Sequence, residues 1–271
     1  MCSSDLQPRP CHPPSMDPGS WPDVNVAALS LRRDGVPWDA SIALVHPHDF
    51  GGWEERALQL LGRSEAKTLA ALTSPRRRQS FLLGRIAAKA AILHHRRSSD
   101  PLAIEIRSGI FGQPVVACAG PDPTGVSITH SSAGAAAVAF REEHPMGIDF
   151  ETVDPAQLDV IRSALTPAER HMATEDPSGE PVAATALWTA KEALSKVLRC
   201  GLTAPFEVLA LESFNPPAPA FWEGTFVNFA QYRSLTWVEE EAVMSLVLPK
   251  KSQLIDAPGD RKSTRLNSSH T

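Results

Sequence analysis

Apolar positions recur along this chain with two different periods, and the switches between them predict its elements. Ala40–Val45 has strand character and Ile104–Ile106 is a second short strand. Between them, Trp53–Leu72 alternates charge with Leu and Ala at helical spacing. Ser74-Pro75 opens a further helix, with proline in the first turn, where no intrahelical bond is lost. Phe81, Leu82, Ile86, Ala90 and Leu93 make its buried side, and Arg78, Arg85 and Lys89 lie on the flanking polar side. Val126–Ser131 leads into a small-residue run ending at Phe140. In Gly147–Glu151 the period is two: Asp149 and Glu151 project to one face, Ile148 and Phe150 to the other. Leu165-Thr-Pro-Ala-Glu169 reads as a helix start, with Thr166 as cap, Pro167 at the first position and Glu169 closing a capping box. Ala183–Leu198 is rich in helix formers and stops before Gly201. Leu187, Leu194 and Leu198 form its core stripe; Trp188, Glu192 and Lys196 line the adjoining one. Phe206–Glu212, Gly224–Phe229 and Ala242–Leu248 read as closing strands. Helices followed by strands, twice over, predict an α+β protein with halves at 38–145 and 146–250, joined near Glu143-His144-Pro145.

Composition keeps that picture and narrows it. The 271 residues are 42% apolar and 21% charged, with a net charge of −5, as in an ordinary soluble domain with ample core. No apolar run approaches the ~20 residues of a membrane span. Cys2, Cys11, Cys118 and Cys200 show no metal-binding spacing and fit a reducing, cytoplasmic setting. Residues 1–37 are expected to lack stable structure, on the Pro- and Ser-rich composition of Gln7–Asp23, and 251–271 is expected to be a tail. Asp260–His270 resembles a translated sequencing-library adapter, and Cys2–Leu6 the same adapter from its other strand, so both are set aside from fold reasoning. The cations of Arg76–Arg97 make a dense positive field within a mildly acidic chain. Such a field attracts acidic partners; no nucleic-acid module or interleaved aromatics accompany it.

The chemistry concentrates in two stretches. Asp149 and Glu151 side by side repel, an arrangement a fold tolerates mainly with a cation between them. The helix Trp188-Thr-Ala-Lys-Glu-Ala-Leu-Ser-Lys196 adds a third carboxylate, Glu192, and an ammonium, Lys196. Three carboxylates and a lysine suit a divalent metal bound to a phosphate-bearing substrate. Lys191 lies toward the core stripe, open to a salt-bridging or a substrate role, and Trp188 is read as packing.

Gly147-Ile-Asp-Phe-Glu151 followed 41 residues after Glu151 by Glu192 in its Trp-Thr-x-Lys-Glu-Ala-x-x-Lys frame resembles the 4′-phosphopantetheinyl transferase superfamily. The resemblance covers Arg76–Leu202 firmly and the remainder to Lys250 loosely. It implies two similar halves related by a pseudo-twofold, the Sfp-type, and by length a monomer. It implies coenzyme A as substrate and Mg²⁺ held by Asp149, Glu151 and Glu192. Lys196 would contact the pyrophosphate and Glu192 would act as general base. Phe81-Leu-Leu-Gly-Arg85 matches a family pattern that implies a 3′-phosphate site at Arg78, Arg85 and Lys89; from the residues alone, a solvated basic face is the other reading. Gly112-Gln113-Pro114 matches a segment bordering the adenine, with Gln113 where a base is usual. Val126–Ser131 matches a segment that implies phosphate contacts from His130 and Ser131, with Thr129 where Ser is more frequent. The implied reaction moves the phosphopantetheine arm to a serine of an apo acyl or peptidyl carrier protein, with secondary metabolism as the expected setting and the region between the two motifs as its dock. The competing readings are a Mg²⁺-dependent nuclease or phosphodiesterase and a non-catalytic paralogue that binds coenzyme A or carrier.

Overall fold

The computed structural model describes residues 24–46, 55, 57–118 and 123–255, apart from 219 and 240. The expectations for the adapter-like ends, for the start of the helical stretch at 53 and for the tail beyond 255 lie outside the described residues. Strands β1 (Val24–Arg33) and β2 (Val36–Val45) form a hairpin, followed by helices α1 (Arg63–Ala71) and α2 (Pro75–Arg96). Strands β3 (Ile104–Ser108), β4 (Pro114–Cys118), β5 (Thr124–Ser131) and β6 (Gly134–Arg141) complete the first half. The second begins with β7 (Gly147–Thr152) and helices α3 (Leu158–Ala164), α4 (Pro167–Glu175) and α5 (Glu180–Val197). It closes with β8 (Leu211–Ala218), β9 (Phe221–Phe226), β10 (Tyr232–Glu239) and β11 (Ala242–Pro249), before the short β12 (Gln253–Leu254).

Two five-stranded antiparallel sheets run in the orders β12-β1-β2-β6-β5 and β7-β11-β10-β9-β8, and β3-β4 is a separate hairpin. The layers are helix, sheet, sheet, helix. Ala135, Ala137 and Ala139 of β6 face α2, while Ala136, Val138 and Phe140 face the second sheet, with Ile148 and Phe150 of β7 and Leu246 of β11. Period two thus buries both faces of β6, and its small residues let a helix pack closely on it. On the far side α5 covers the second sheet through Leu187, Ala190 and Leu194. The α+β expectation holds. Among the described residues no helix is long and apolar enough to cross a membrane.

The expected unstructured segment is corrected: residues 24–37 form β1 and open β2, paired along ten registered positions from Val24 with Val45 to Arg33 with Val36. The expected tail is corrected too, since Leu254 pairs with Leu31 of the first sheet. Phe206–Leu209 is a 3₁₀ turn rather than a strand, and the strand begins at Leu211. Proline at 205 and the turn it opens displace the pairing C-terminally.

The two halves repeat one construction. On α1, Glu65 Oε2 accepts from Gly62 N (2.8 Å) and Oε1 from Ile106 N (3.2 Å), and Lys89 Nζ of α2 lies 2.9 Å from Oε2. On α4, Glu169 Oε2 accepts from Thr166 N (2.8 Å) and Oε1 from Leu211 N (2.9 Å), and Lys191 Nζ of α5 lies 2.8 Å from Oε2. All four charged side chains are fully buried.

The sheets meet edge to edge where β5 runs beside β7. Ser127 Oγ accepts from Ile148 N (3.1 Å) and Thr129 Oγ1 from Phe150 N (3.3 Å), so hydroxyls rather than a backbone ladder link the strands. On the opposite side of β7 a Cβ at Gly147 would fall 2.1 Å from Ala193 O. Only glycine lets α5 approach the strand this closely, and that approach brings Glu192 and Lys196 to Asp149.

Candidate functional site

A cleft of about 710 Å³ opens where the N-terminal half of α2 faces the β3-β4 hairpin and the end of β5. Arg76, Arg77, Arg85, Arg107 and His130 line it, and no carboxylate does among the described residues. Arg85 is held in place from two sides: its Nε lies 3.3 Å from Glu65 Oε1 and its guanidinium sits 4.6 Å from the Phe81 ring centroid. Burial lowers its proton affinity, with Glu65 opposing. Gly112 and Pro114 border the cleft, Gly112 with φ of +80° in the hairpin turn, where glycine alone is unstrained. A basic concavity of this kind suits a multiply phosphorylated anion.

Four expected cleft residues are elsewhere. Lys89 is fully buried, and its ammonium donates to Pro101 O (2.9 Å) and Ile104 O (2.6 Å) besides pairing with Glu65. Its three donors are spent, and it offers nothing to a ligand. Arg78 donates to Leu69 O (2.9 Å) and does not line the cleft. Arg76, Arg77 and Arg107 stand in their place; Arg107 enters from a hairpin distant in sequence. Ser131 Oγ accepts from Ala133 N (3.2 Å) in the β5-β6 turn and is not a cleft residue. Thr129 is also corrected: its side chain is buried and its hydroxyl donates to Asp149 Oδ1 (2.8 Å), away from the cleft. His130, its neighbour on the opposite face of β5, is exposed and does line the cleft.

A second, narrower groove of about 240 Å³ shares Gly112, Pro114 and Ile128 with the first and runs to Lys196. Its walls are largely apolar, including Phe111, Val126, Met146 and Val197. Gln113 lies in this groove, with its Oε1 accepting from Phe111 N (2.9 Å). Cleft and groove adjoin and lead from the arginines to Lys196, the ion-pair partner of Asp149.

Asp149 is 1% exposed. Its Oδ1 accepts from Thr129 and from Lys196 Nζ (2.6 Å), which also donates to Ile148 O (3.0 Å). Its Oδ2 is buried without a hydrogen-bond partner among the described residues. Glu151 is pushed up to about 7, first by burial and then by the charges of Asp149 and Glu192, against the pull of Lys196. Glu192 is likewise raised to about 7, by burial first and Asp149 second. Trp188, Glu192 and Lys196 are half-buried within the otherwise buried stretch Ala183–Val197, as their stripe predicts, and Trp188 packs at 5.1 Å on Phe206. Lys191 is fully buried on Glu169 and Ala164 O, which assigns it the structural role.

The three carboxylates share one electrostatic neighbourhood, yet among the described residues no group of three His, Cys, Asp or Glu stands close enough to hold a metal ion. Lys196 is the counter-charge that Asp149 finds. The donor set nonetheless fits a hard cation. It offers oxygen ligands only, one of them a buried carboxylate oxygen with nothing to accept from, and two acids whose protons a divalent ion would displace.

Residues 145–247 match the family model of the 4′-phosphopantetheinyl transferase superfamily. That span carries β7, α5 and all four acidic-site side chains. A solved holo-(acyl-carrier-protein) synthase from Bacillus anthracis str. Ames, in complex with CoA (3′,5′-ADP), is 20% identical, covering 42% of this chain and 96% of its own, with a TM-score of 0.35. None of the curated proteins compared with the chain matches it.

Proposed function

We propose that the protein is a 4′-phosphopantetheinyl transferase, moving the phosphopantetheine arm of coenzyme A to a serine of an apo acyl or peptidyl carrier protein and releasing 3′,5′-ADP. The observation that carries this reading is the buried Asp149 Oδ2, without a hydrogen-bond partner among the described residues, in the electrostatic neighbourhood of Glu151, Glu192 and Lys196, of which Lys196 lines a groove adjoining the arginine cleft. The family match over the same residues supports it. The recurrence of the Glu65–Lys89 construction at Glu169–Lys191 supports the Sfp-type arrangement of two related halves.

In this reading Arg76, Arg77, Arg85, Arg107 and His130 grip the nucleotide phosphates, and the apolar groove takes the segment leading to the acidic site. Asp149, Glu151 and Glu192 would hold Mg²⁺, which neutralises diphosphate charge and stabilises the leaving phosphate when bound. Lys196 has three donors and spends two on Ile148 O and Asp149 Oδ1, so one is left for a phosphoryl oxygen. Glu192 is the residue assigned to accept the serine proton. The serine oxygen then forms a bond to the phosphorus bearing the pantetheine arm, and the bond from that phosphorus to 3′,5′-ADP breaks. The leaving nucleotide takes the electron pair.

The test is to incubate the protein with coenzyme A, Mg²⁺ and apo carrier proteins and weigh the carriers. One phosphopantetheine is gained per carrier, and Asp149→Ala or Glu192→Ala abolishes the gain. Unmodified carriers across a broad panel, with phosphodiester cleavage instead, would replace this reading by a nuclease or phosphodiesterase.

A further inference from the structure

Strand β5 has two functional faces. Its even-numbered side chains, Ile128 and His130, line the arginine cleft, while Ser127 and Thr129 point to the seam with β7. Thr129 is 5% exposed, and its single hydroxyl makes two contacts of opposite sense. It accepts from Phe150 N (3.3 Å) and donates to Asp149 Oδ1 (2.8 Å). The backbone N–H occupies a lone pair of the hydroxyl, so its one proton is directed to the carboxylate rather than free to rotate. Asp149 is therefore gripped at Oδ1 by two donors, Thr129 on one strand and Lys196 on α5, while Oδ2 keeps its lone pairs unused.

We propose that Thr129 is a positioning residue: its hydroxyl fixes the Asp149 carboxylate so that Oδ2 is presented to a divalent cation. This rests on the metal reading above but adds a role that no charge in the site supplies. Lys196 can also satisfy Oδ1, but it is a flexible, part-exposed side chain wanted elsewhere when a phosphate arrives. A hydroxyl locked in a sheet seam holds the carboxylate whether or not the lysine stays. The residue's position gives it a second consequence. His130 follows directly on the same strand, so the group that orients the acidic site and one that lines the arginine cleft share a single rigid element.

The test compares Thr129→Val, which removes the donor at nearly constant volume, with Thr129→Ser, which keeps it. Mn²⁺ is titrated into each protein, alone and with coenzyme A, and free Mn²⁺ is read by electron paramagnetic resonance; urea unfolding is followed in parallel. Removing an outer-shell partner costs on the order of 10–100-fold in metal affinity. Thr129→Val is expected to weaken Mn²⁺ binding by that order, and Thr129→Ser to return it to near the wild-type value. A purely structural role would lower the urea midpoint and leave the Mn²⁺ affinity of the folded protein unchanged, and that result overturns the proposal. Equal weakening in the Ser variant also overturns it, because the hydroxyl would not be the cause. If Thr129→Val does not fold, Thr129→Ala is read in its place on the same criteria. Wild-type protein that binds no Mn²⁺, or binds it as well after Asp149→Asn, refutes the metal reading itself and the positioning role with it. That outcome is distinct from normal wild-type binding unchanged in Thr129→Val, which refutes only the positioning role.

Discussion

Lys191 Nζ lies 2.8 Å from Glu169 Oε2 with neither side chain reaching solvent. The pair is not isolated, for Glu169 also accepts from two backbone amides and Lys191 donates to Ala164 O. Helix α4, helix α5 and strand β8 are pinned at one point by a network in which every acceptor has a donor. The helix that carries Glu192 and Lys196 is thus anchored one residue before the first of them. A satisfied buried network rigidifies what it joins, and breaking it leaves an uncompensated charge.

Lys191→Met is expected to cost roughly 3–5 kcal/mol, the usual penalty for stranding one partner of a buried ion pair. Lys89→Met should cost somewhat less, because Arg85 Nε, 3.3 Å from Glu65 Oε1, still faces that carboxylate. Urea unfolding measures both. A loss below about 1 kcal/mol in either would mean the pair is solvated in solution.

Arg85→Gln and Arg78→Gln should separate cleft from scaffold. Losing a charge-assisted bond of about 1.5–3 kcal/mol raises KM for coenzyme A roughly tenfold or more in the Arg85 variant. The Arg78 variant should leave KM near the wild-type value, since that guanidinium is directed at Leu69 O. Steady-state kinetics with apo carrier in excess gives the comparison, and the reverse ranking would contradict the placement of the phosphates.

Gly147→Ala should push α5 away from β7, because the added Cβ would overlap Ala193 O. Overpacking of this kind costs about 1–3 kcal/mol. Transfer activity should fall further than stability alone explains, as Glu192 and Lys196 ride on the displaced helix. Full activity in a folded Ala variant would show that the close approach is dispensable.

His144 gives the fold a pH dependence remote from the acidic site. Burial first, and Arg33 second, push its imidazole down to about 4 from the ordinary 6.5. It stacks on Trp38 at 5.0 Å, and its Nε2 lies 2.7 Å from Ser252 Oγ. Between these values the unfolded chain binds a proton that the folded chain refuses, so stability is lost as pH falls from 6.5 towards 4. Glu151 and Glu192, raised towards 7, act with the opposite sign over an overlapping range. The difference between wild type and His144→Gln isolates the histidine: the variant should lose less stability across that window. Parallel curves would exclude it.

Local chemistry was legible in the sequence where a short stretch decides the outcome alone. The Thr166–Glu169 capping box forms as its letters predict, and the stripe of Trp188, Glu192 and Lys196 emerges half-buried between buried neighbours. What was not legible depends on partners far away in the chain. Lys89 sits on a helix face that periodicity alone makes polar; only Glu65 and the carbonyls of Pro101 and Ile104 make burial tolerable there. Arg107 becomes a cleft residue because the β3-β4 hairpin faces α2 across the cleft. Thr129 resembles a ligand contact in its motif, yet the seam with β7 claims its hydroxyl. Strand β1 was hidden by a weak apolar alternation after a Pro-rich leader, and its pairing partners at β2 and β12 supply what propensity did not.

The short strand at Gln253–Leu254 completes the edge of a sheet whose other four strands all precede residue 142. Ile255 N, donating to Ser30 O, and Ser252, beside His144, hold it there. During synthesis the Ser30–Arg32 part of the β1 border therefore stays open until more than a hundred further residues have emerged. An open edge is a template for unwanted pairing, and the clasp is what closes this part of it.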